Sequence, residues 1–243
     1  MPEIHPILHG LKEIAGKPRG PQGGGLFSAI HKQIRTNWLE RPPDRWPSVK
    51  NWVLRVAPDY TQHPTQRLEK QLQKQIAICL DGDGWGNDVP TASGLVDSGG
   101  RQMNVDLAHR IAGGFELIEL KIESNTPTEA ALQVLRYGAI YLLYRTEPEL
   151  AQRFRNFEMM NARRILLEVL APLRYYRREG PNLKLLEQQL DAEVQKLAAG
   201  LLPGFEMRFR FAAFPAAFHY APGMSCELIR GAMAGRVSPF RPC

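Results

Sequence analysis

Cysteine is scarce in this chain: Cys79, Cys226 and Cys243 are an odd number with no CxxC spacing. Neither a disulfide framework nor a zinc knuckle is expected from them, and Cys79 reads as a core residue with the other two incidental. Also lacking is any run of about 18 apolar residues, the length a bilayer-spanning helix needs. The opening stretch MPEIHPILHGLKEIAGK has no continuous apolar segment of the secretory kind. The expectation is a cytoplasmic protein with no membrane partner. No internal repeat is visible.

What is present is enough for a sizeable core. With 243 residues and 44% hydrophobic content, the chain fits one domain, or one domain with an extension. The net charge of +6 is placed unevenly. Residues 1–80 hold 12 Lys and Arg against 6 Asp and Glu, whereas residues 81–243 hold 19 of each. A basic region neutralises phosphates and gives salt-dependent affinity for nucleic acid, although a merely solvated basic face has the same composition.

Periodicity organises the rest. The basic, glycine-rich stretch 17–25 reads as a loop or linker. Ile30, Ile34 and Leu39 then fall near one face of a helix over 26–39, which Arg41-Pro42-Pro43 stops. A second helix starts at Pro64 and carries Leu68, Leu72, Ile76 and Leu80 on one stripe, with Glu69 bordering it. From Trp85 the period changes to two, giving strands at about 85–93, 101–109 and 115–122 that read as an antiparallel meander. A helix over 126–144, a strand over 165–170, a helix over 183–199 and a strand over 205–212 complete the order. Each helix must bury its stripe on a sheet, so an α/β layered domain over 59–243 is expected, preceded by a basic N-terminal extension over 1–58.

Chemistry concentrates in Asn104-Val105-Asp106-Leu107-Ala108-His109 and in Phe115-Glu116-Leu117-Ile118-Glu119-Leu120-Lys121-Ile122, joined by a Gly113-Gly114 turn. Alternate residues of a strand share a face, so Glu119 and Lys121 point together while Ile118, Leu120 and Ile122 enter the core. An antiparallel neighbour brings Asp106 to the same place. Two carboxylates and the Leu120 carbonyl are a fitting oxygen set for a hard divalent cation, Mg²⁺ or Mn²⁺. A water polarised by that ion beside Lys121 could attack a phosphodiester.

With that arrangement of Asp106, Glu119 and Lys121 the chain resembles the PD-(D/E)xK nuclease superfamily, roughly from Pro64 to Leu170. The resemblance implies a restriction-endonuclease-like αβββαβ core with a mixed central sheet, here followed by an additional C-terminal α-β unit. It also implies that Asp106 and Glu119 bind metal and that Lys121 assists the nucleophile. Val105 stands where the proline of the motif's name would be. Many members carry an acidic residue on the preceding helix, for which Glu69 is the candidate, an ordinary surface glutamate being the rival reading. Exonuclease-like members carry Gln-x-x-x-Tyr on the following helix; Gln133 and Tyr137 match it and share a face at i, i+4.

Other polar residues read more plainly. His109 lies opposite Asp106 and suits a core or supporting role, Glu123 solvates a strand end, and Thr91 and Ser93 suit a turn. Asp81-Gly82-Asp83-Gly84 lacks the later ligands of a calcium loop and reads as the turn ending a helix. Lys32, Arg35, Arg41, Arg45, Lys50 and Arg55, interleaved with Trp38, Trp46 and Trp52, suit phosphate contact and base stacking; the tryptophans could equally pack the extension onto the core. Arg163-Arg164 and Arg174-Tyr175-Tyr176-Arg177-Arg178 could line a groove. The expected activity is metal-dependent hydrolysis of nucleic acid, DNA ahead of RNA, in defence or repair. A catalytically silent nucleic-acid-binding or assembly subunit is the alternative. A homodimer would serve cutting of both strands, and in a defence or repair assembly a partner protein would present the substrate.

Overall fold

Two hydrophobic stripes per strand require cover on both faces of a sheet, and the computed structural model shows how the chain supplies it. Residues 6–11, 25–56, 67–95, 103–177 and 182–240 are described; residues 17–24, Pro64, Arg178 and Cys243 lie outside them. In chain order the longer elements are α1 (Leu26–Leu39), α2 (Leu68–Cys79), β1 (Trp85–Pro90), β2 (Asn104–Ile111), β3 (Gly114–Leu120), α3 (Pro127–Thr146), α4 (Pro148–Phe154), β4 (Arg164–Ala171), α5 (Leu173–Tyr176), α6 (Leu183–Leu201), β5 (Glu206–Ala213) and α7 (Cys226–Ala234).

The strands form one mixed sheet in the order β1-β2-β3-β4-β5. β1, β2 and β3 are the antiparallel meander. β4 is parallel to β3, and β5 to β4, as a strand reached through a crossover helix must be. The fold is therefore α/β with an open five-stranded mixed sheet. Short α4 and α5 have no counterpart among the sequence expectations, because seven and four residues are too few for a helical period to show; nor has α7, although its Ile229, Ala232 and Met233 carry a helical spacing.

One face of the sheet, with Leu117, Leu167, Val169 and Phe209, packs on α3 and α6, and α1 packs on those two helices in turn. The other, with Ile118, Leu120 and Leu170, packs on α2 and α7. Thr126 and Glu129 form a capping box ahead of Pro127 that fixes the start of α3. Gly138 lets this helix approach β4, since a Cβ there would lie 2.6 Å from Leu167. Phe27, Ile30, Ile34 and Trp38 of α1, with Trp52, belong to the same core as the sheet. Trp38 and Trp52 are 2% and 1% exposed, which settles those two as packing residues and removes them from base stacking. Trp46 stays partly exposed, with the Arg41 guanidinium against both its ring and that of Trp38.

The cysteine expectation needs correction. Cys79, at the end of α2, is bonded to Cys226, at the start of α7. The partners are 147 residues apart, and spacing carries no signal at that range. Among the described residues no helix is long and apolar enough to cross a membrane.

Candidate active site

The meander is irregular at one level. β1 and β2 pair through Asn87 with Leu107 and Val89 with Val105, and between them Asp88 faces Asp106 with φ 50, outside the extended range. Aspartate tolerates that conformation better than most residues. Trp85 and Val89, four apart, consequently join different core clusters, as do Val105 and Leu107. The β2–β3 ladder ends at the same level, its last pair being Leu107 with Ile118. Beyond it the Asp106 carboxylate takes the place of a backbone acceptor: its Oδ2 receives the Leu120 N–H at 3.0 Å.

Glu119 points from β3 towards α3. Its Oε2 accepts the Tyr137 hydroxyl at 2.6 Å, and its Oε1 accepts the Lys121 ammonium at 2.5 Å. Lys121 lies one residue past the end of β3 rather than inside it. Its N–H still bonds the Leu170 carbonyl at 2.9 Å, which continues the path of the strand and keeps the two side chains on one side. The expected inward set, Ile118, Leu120 and Ile122, lies in the cluster beneath α2. Glu119 and Lys121 are themselves buried, at 2% and 5% exposure, because β3 is a central strand covered on both faces.

Burial sets the electrostatics. It raises the Asp106 carboxyl well above its usual range; the nearby Glu119 carboxylate adds to this, against the pull of Lys121 and the Leu120 N–H. Burial would lower the Lys121 ammonium, but Glu119 and Asp106 beside it more than reverse that and raise it. The Tyr137 hydroxyl is held protonated by burial and then by Glu119. The half-buried Arg136 guanidinium, next on α3, is pushed down by burial while Tyr137 and Glu119 act the other way.

The remaining sequence candidates are distributed around this centre. Glu69 is committed to the loop after Lys121, accepting Ser124 N–H at 3.1 Å and Ser124 Oγ at 2.8 Å, yet it is close enough to help raise Lys121. Gln133 makes no hydrogen bond to either carboxylate, and its Oε1 is buried without a donor. One turn along the same face, Tyr137 reaches Glu119. Outside the site, His109 stacks on Trp85 and bonds Glu116, Glu123 pairs with Arg174, and Thr91 bonds the Met103 carbonyl.

Three participants were not foreseen. Gln73 of α2 donates to the Asp106 carbonyl at 2.5 Å and to Asp88 at 3.2 Å, and Lys70 pairs with Asp88. Together they clamp α2 onto the irregular level of β1 and β2. Gln73 shares a helix face with Glu69 at i, i+4 and with Lys70 at i, i+3, a signal available from spacing alone; Asp88 had none, since its position depends on the strand register.

Among the described residues no group of three or more His, Cys, Asp or Glu side chains converges as a metal cage. The available oxygen set is smaller. It consists of Asp106, Glu119 and the Leu120 carbonyl, which opens to the same side as the Leu120 N–H because both groups of an extended residue point one way. Mg²⁺ keeps several waters and uses one or two carboxylates, so the set fits such an ion. The Glu119 carboxylate, which after burial adds to the raising of Asp106, and the unpaired Gln133 Oε1, an acceptor for a metal-bound water, fit it as well. No protein-family model matches the chain, and neither a curated protein nor a solved structure matches it significantly.

Proposed function

We propose that the chain is a metal-dependent nuclease of the PD-(D/E)xK kind, hydrolysing phosphodiester bonds of DNA through Asp106, Glu119 and Lys121. The observation that carries this reading is the convergence of Asp106 on β3 where the β2–β3 ladder ends, beside a buried Glu119–Lys121 pair. The element order from α2 to β4, with a mixed sheet, supports the restriction-endonuclease-like core that the motif implies.

Asp106, Glu119 and the Leu120 carbonyl would hold Mg²⁺ or Mn²⁺. The ion, when bound, supplies Lewis-acid charge and an acidified water. Lys121 would exchange Glu119 for the phosphodiester, placing its ammonium against the charge that develops on the phosphoryl oxygens. Tyr137 fixes the orientation of Glu119 from α3. Gln73 fixes the backbone of Asp106 from α2. Glu69 holds the Ser124 loop that follows Lys121.

A second reading, nucleic-acid binding or an assembly role without turnover, draws on a specific contact: both oxygens of Glu119 already have partners. Incubating the purified protein with plasmid, single-stranded DNA and RNA, with Mg²⁺, Mn²⁺ or chelator, separates the two. Cleavage that chelator abolishes supports the nuclease, and the panel ranks the substrates. Binding with steep salt dependence and no cleavage under any metal supports the second reading.

A further inference from the structure

The second hydrophobic cluster leaves an open groove beside the candidate site. Its cavity, of about 290 Å³, lies between the start of α2, the chain leaving β3, the segment from β4 into α5, and residues 215–220 after β5. Leu68 and Ile122 line it, and each is the immediate neighbour of a site residue, Glu69 and Lys121 respectively. Ile122 faces the cluster beneath α2 whereas Lys121 faces α3 with Glu119, so the groove flanks the site across the chain leaving β3 rather than opening directly into it.

Its lining combines two chemistries. Leu68, Ile122 and Pro172 are apolar, and the Tyr220 ring is held by its hydroxyl's bond to Gln75 Oε1 at 2.9 Å. Arg174, Arg177 and His219 are exposed and stand around this floor. Arg174 pairs with Glu123 at 3.1 Å, with both side chains more than half exposed. Such a surface pair is weakly held, so an incoming phosphate can compete for the guanidinium.

We propose that this groove is a binding subsite for single-stranded nucleic acid, seating an unstacked base on the apolar floor against Tyr220 and its phosphates on Arg174, Arg177 and His219. A duplex keeps its base faces stacked and paired, whereas a single strand offers them to an aromatic and apolar surface. A cavity of about 290 Å³ at the small end of ligand sites suits one nucleotide rather than a helix. A strand seated there lies at the end of β3 that carries Lys121. The subsite deepens the nuclease reading and takes its catalytic role from it, but its affinity for a strand does not depend on turnover.

The test is fluorescence anisotropy of labelled oligothymidylate, and of the same strand in duplex with oligodeoxyadenylate, in chelator so that no cleavage occurs. Wild type is compared with Arg177→Glu, His219→Ala and, as a charge-matched control on another surface, Arg155→Glu. The expected result is single-strand binding stronger than duplex binding. Arg177→Glu should weaken it about tenfold or more and reduce the salt slope by about 1, with His219→Ala weaker in effect and the control unchanged. Equal single-strand affinity in all four proteins, or a duplex preference in wild type, overturns the subsite. Wild type that binds as expected but cleaves nothing with Mg²⁺ or Mn²⁺ leaves the subsite standing and defeats the nuclease reading. Cleavage in wild type with binding untouched in Arg177→Glu does the reverse.

Discussion

The Tyr137 hydroxyl donates to Glu119 Oε2 at 2.6 Å from the far side of the core, while Lys121 occupies Oε1. The carboxylate is thereby oriented by a helix on one side and charge-balanced on the other, both within the buried interior. Tyr137→Phe removes only the donor. Outer hydrogen bonds to a metal-binding carboxylate are worth about 10–100-fold in affinity or rate, and an unsatisfied buried acceptor costs about 1–3 kcal/mol. The variant should lose metal-dependent cleavage and melting temperature to that extent. Single-turnover kinetics at the wild-type rate would remove Tyr137 from the site.

Asp106 should trade stability for function. Its folded carboxyl titrates above its unfolded value of 3.8, so the native state binds the extra proton. Stability therefore falls as pH rises from the unfolded value through the raised one. Asp106→Asn removes that dependence, and in chelator at neutral pH it should melt higher than wild type. Added Mn²⁺ should raise the melting temperature of wild type and leave the variant unmoved. A metal-induced shift of equal size in both proteins would place the ion elsewhere.

Glu116 carries the opposite sign. Burial would raise it, but the His109 hydrogen bond and the Arg236 guanidinium, with Arg210, outweigh burial and bring it from 4.5 to about 2. Its contribution, of order 3 kcal/mol, is present above pH 4.5 and lost as pH falls towards 2. Glu116→Gln should remove most of it at neutral pH while flattening the acid limb between those values. Melting temperature followed against pH checks both parts, and an acid limb as steep as wild type would contradict the assignment.

The Cys79–Cys226 bond ties α7 to α2, the helix that carries Glu69, Lys70 and Gln73. Closing a loop of 147 residues constrains the unfolded chain, and such bonds stabilise by about 2–4 kcal/mol. Dithiothreitol or Cys226→Ser should lower the unfolding free energy in denaturant by that amount. Disulfides persist in oxidising compartments and are rare in the cytosol of most organisms, so the bond stands against the cytoplasmic address that composition suggests. Free thiols at both positions in protein purified without reductant would contradict the pairing.

Local pattern made much of this legible. The α1 boundaries follow from its apolar spacing and the Arg41-Pro42-Pro43 stop, and the shared side of Glu119 and Lys121 follows from period two. What stayed hidden depends on registers and distances that no local window contains. Asp88 matters because its φ of 50 interrupts β1 opposite Asp106, and Gln73 because the interruption lets it reach the Asp106 carbonyl. The difference between Gln133 and Tyr137, equivalent by spacing, arises from the helix's placement on β3, which brings only the tyrosine to Glu119. The C-terminal helix carries a local signal, Ile229, Ala232 and Met233 at helical spacing behind the Ser225 cap, whereas the disulfide that ties it to α2 joins positions too far apart for any spacing to show.

The central claim is that Asp106, Glu119 and Lys121 act as one metal-dependent hydrolytic centre. Single-turnover cleavage of end-labelled DNA, comparing wild type with Asp106→Asn and Lys121→Met under Mg²⁺, Mn²⁺ and chelator, tests it most directly, with circular dichroism confirming that each variant is folded. Metal-dependent cleavage in wild type, reduced at least about 100-fold in both folded variants as loss of transition-state electrostatic stabilisation requires, is the predicted result. Cleavage that persists in either variant, or that proceeds in chelator, would contradict it.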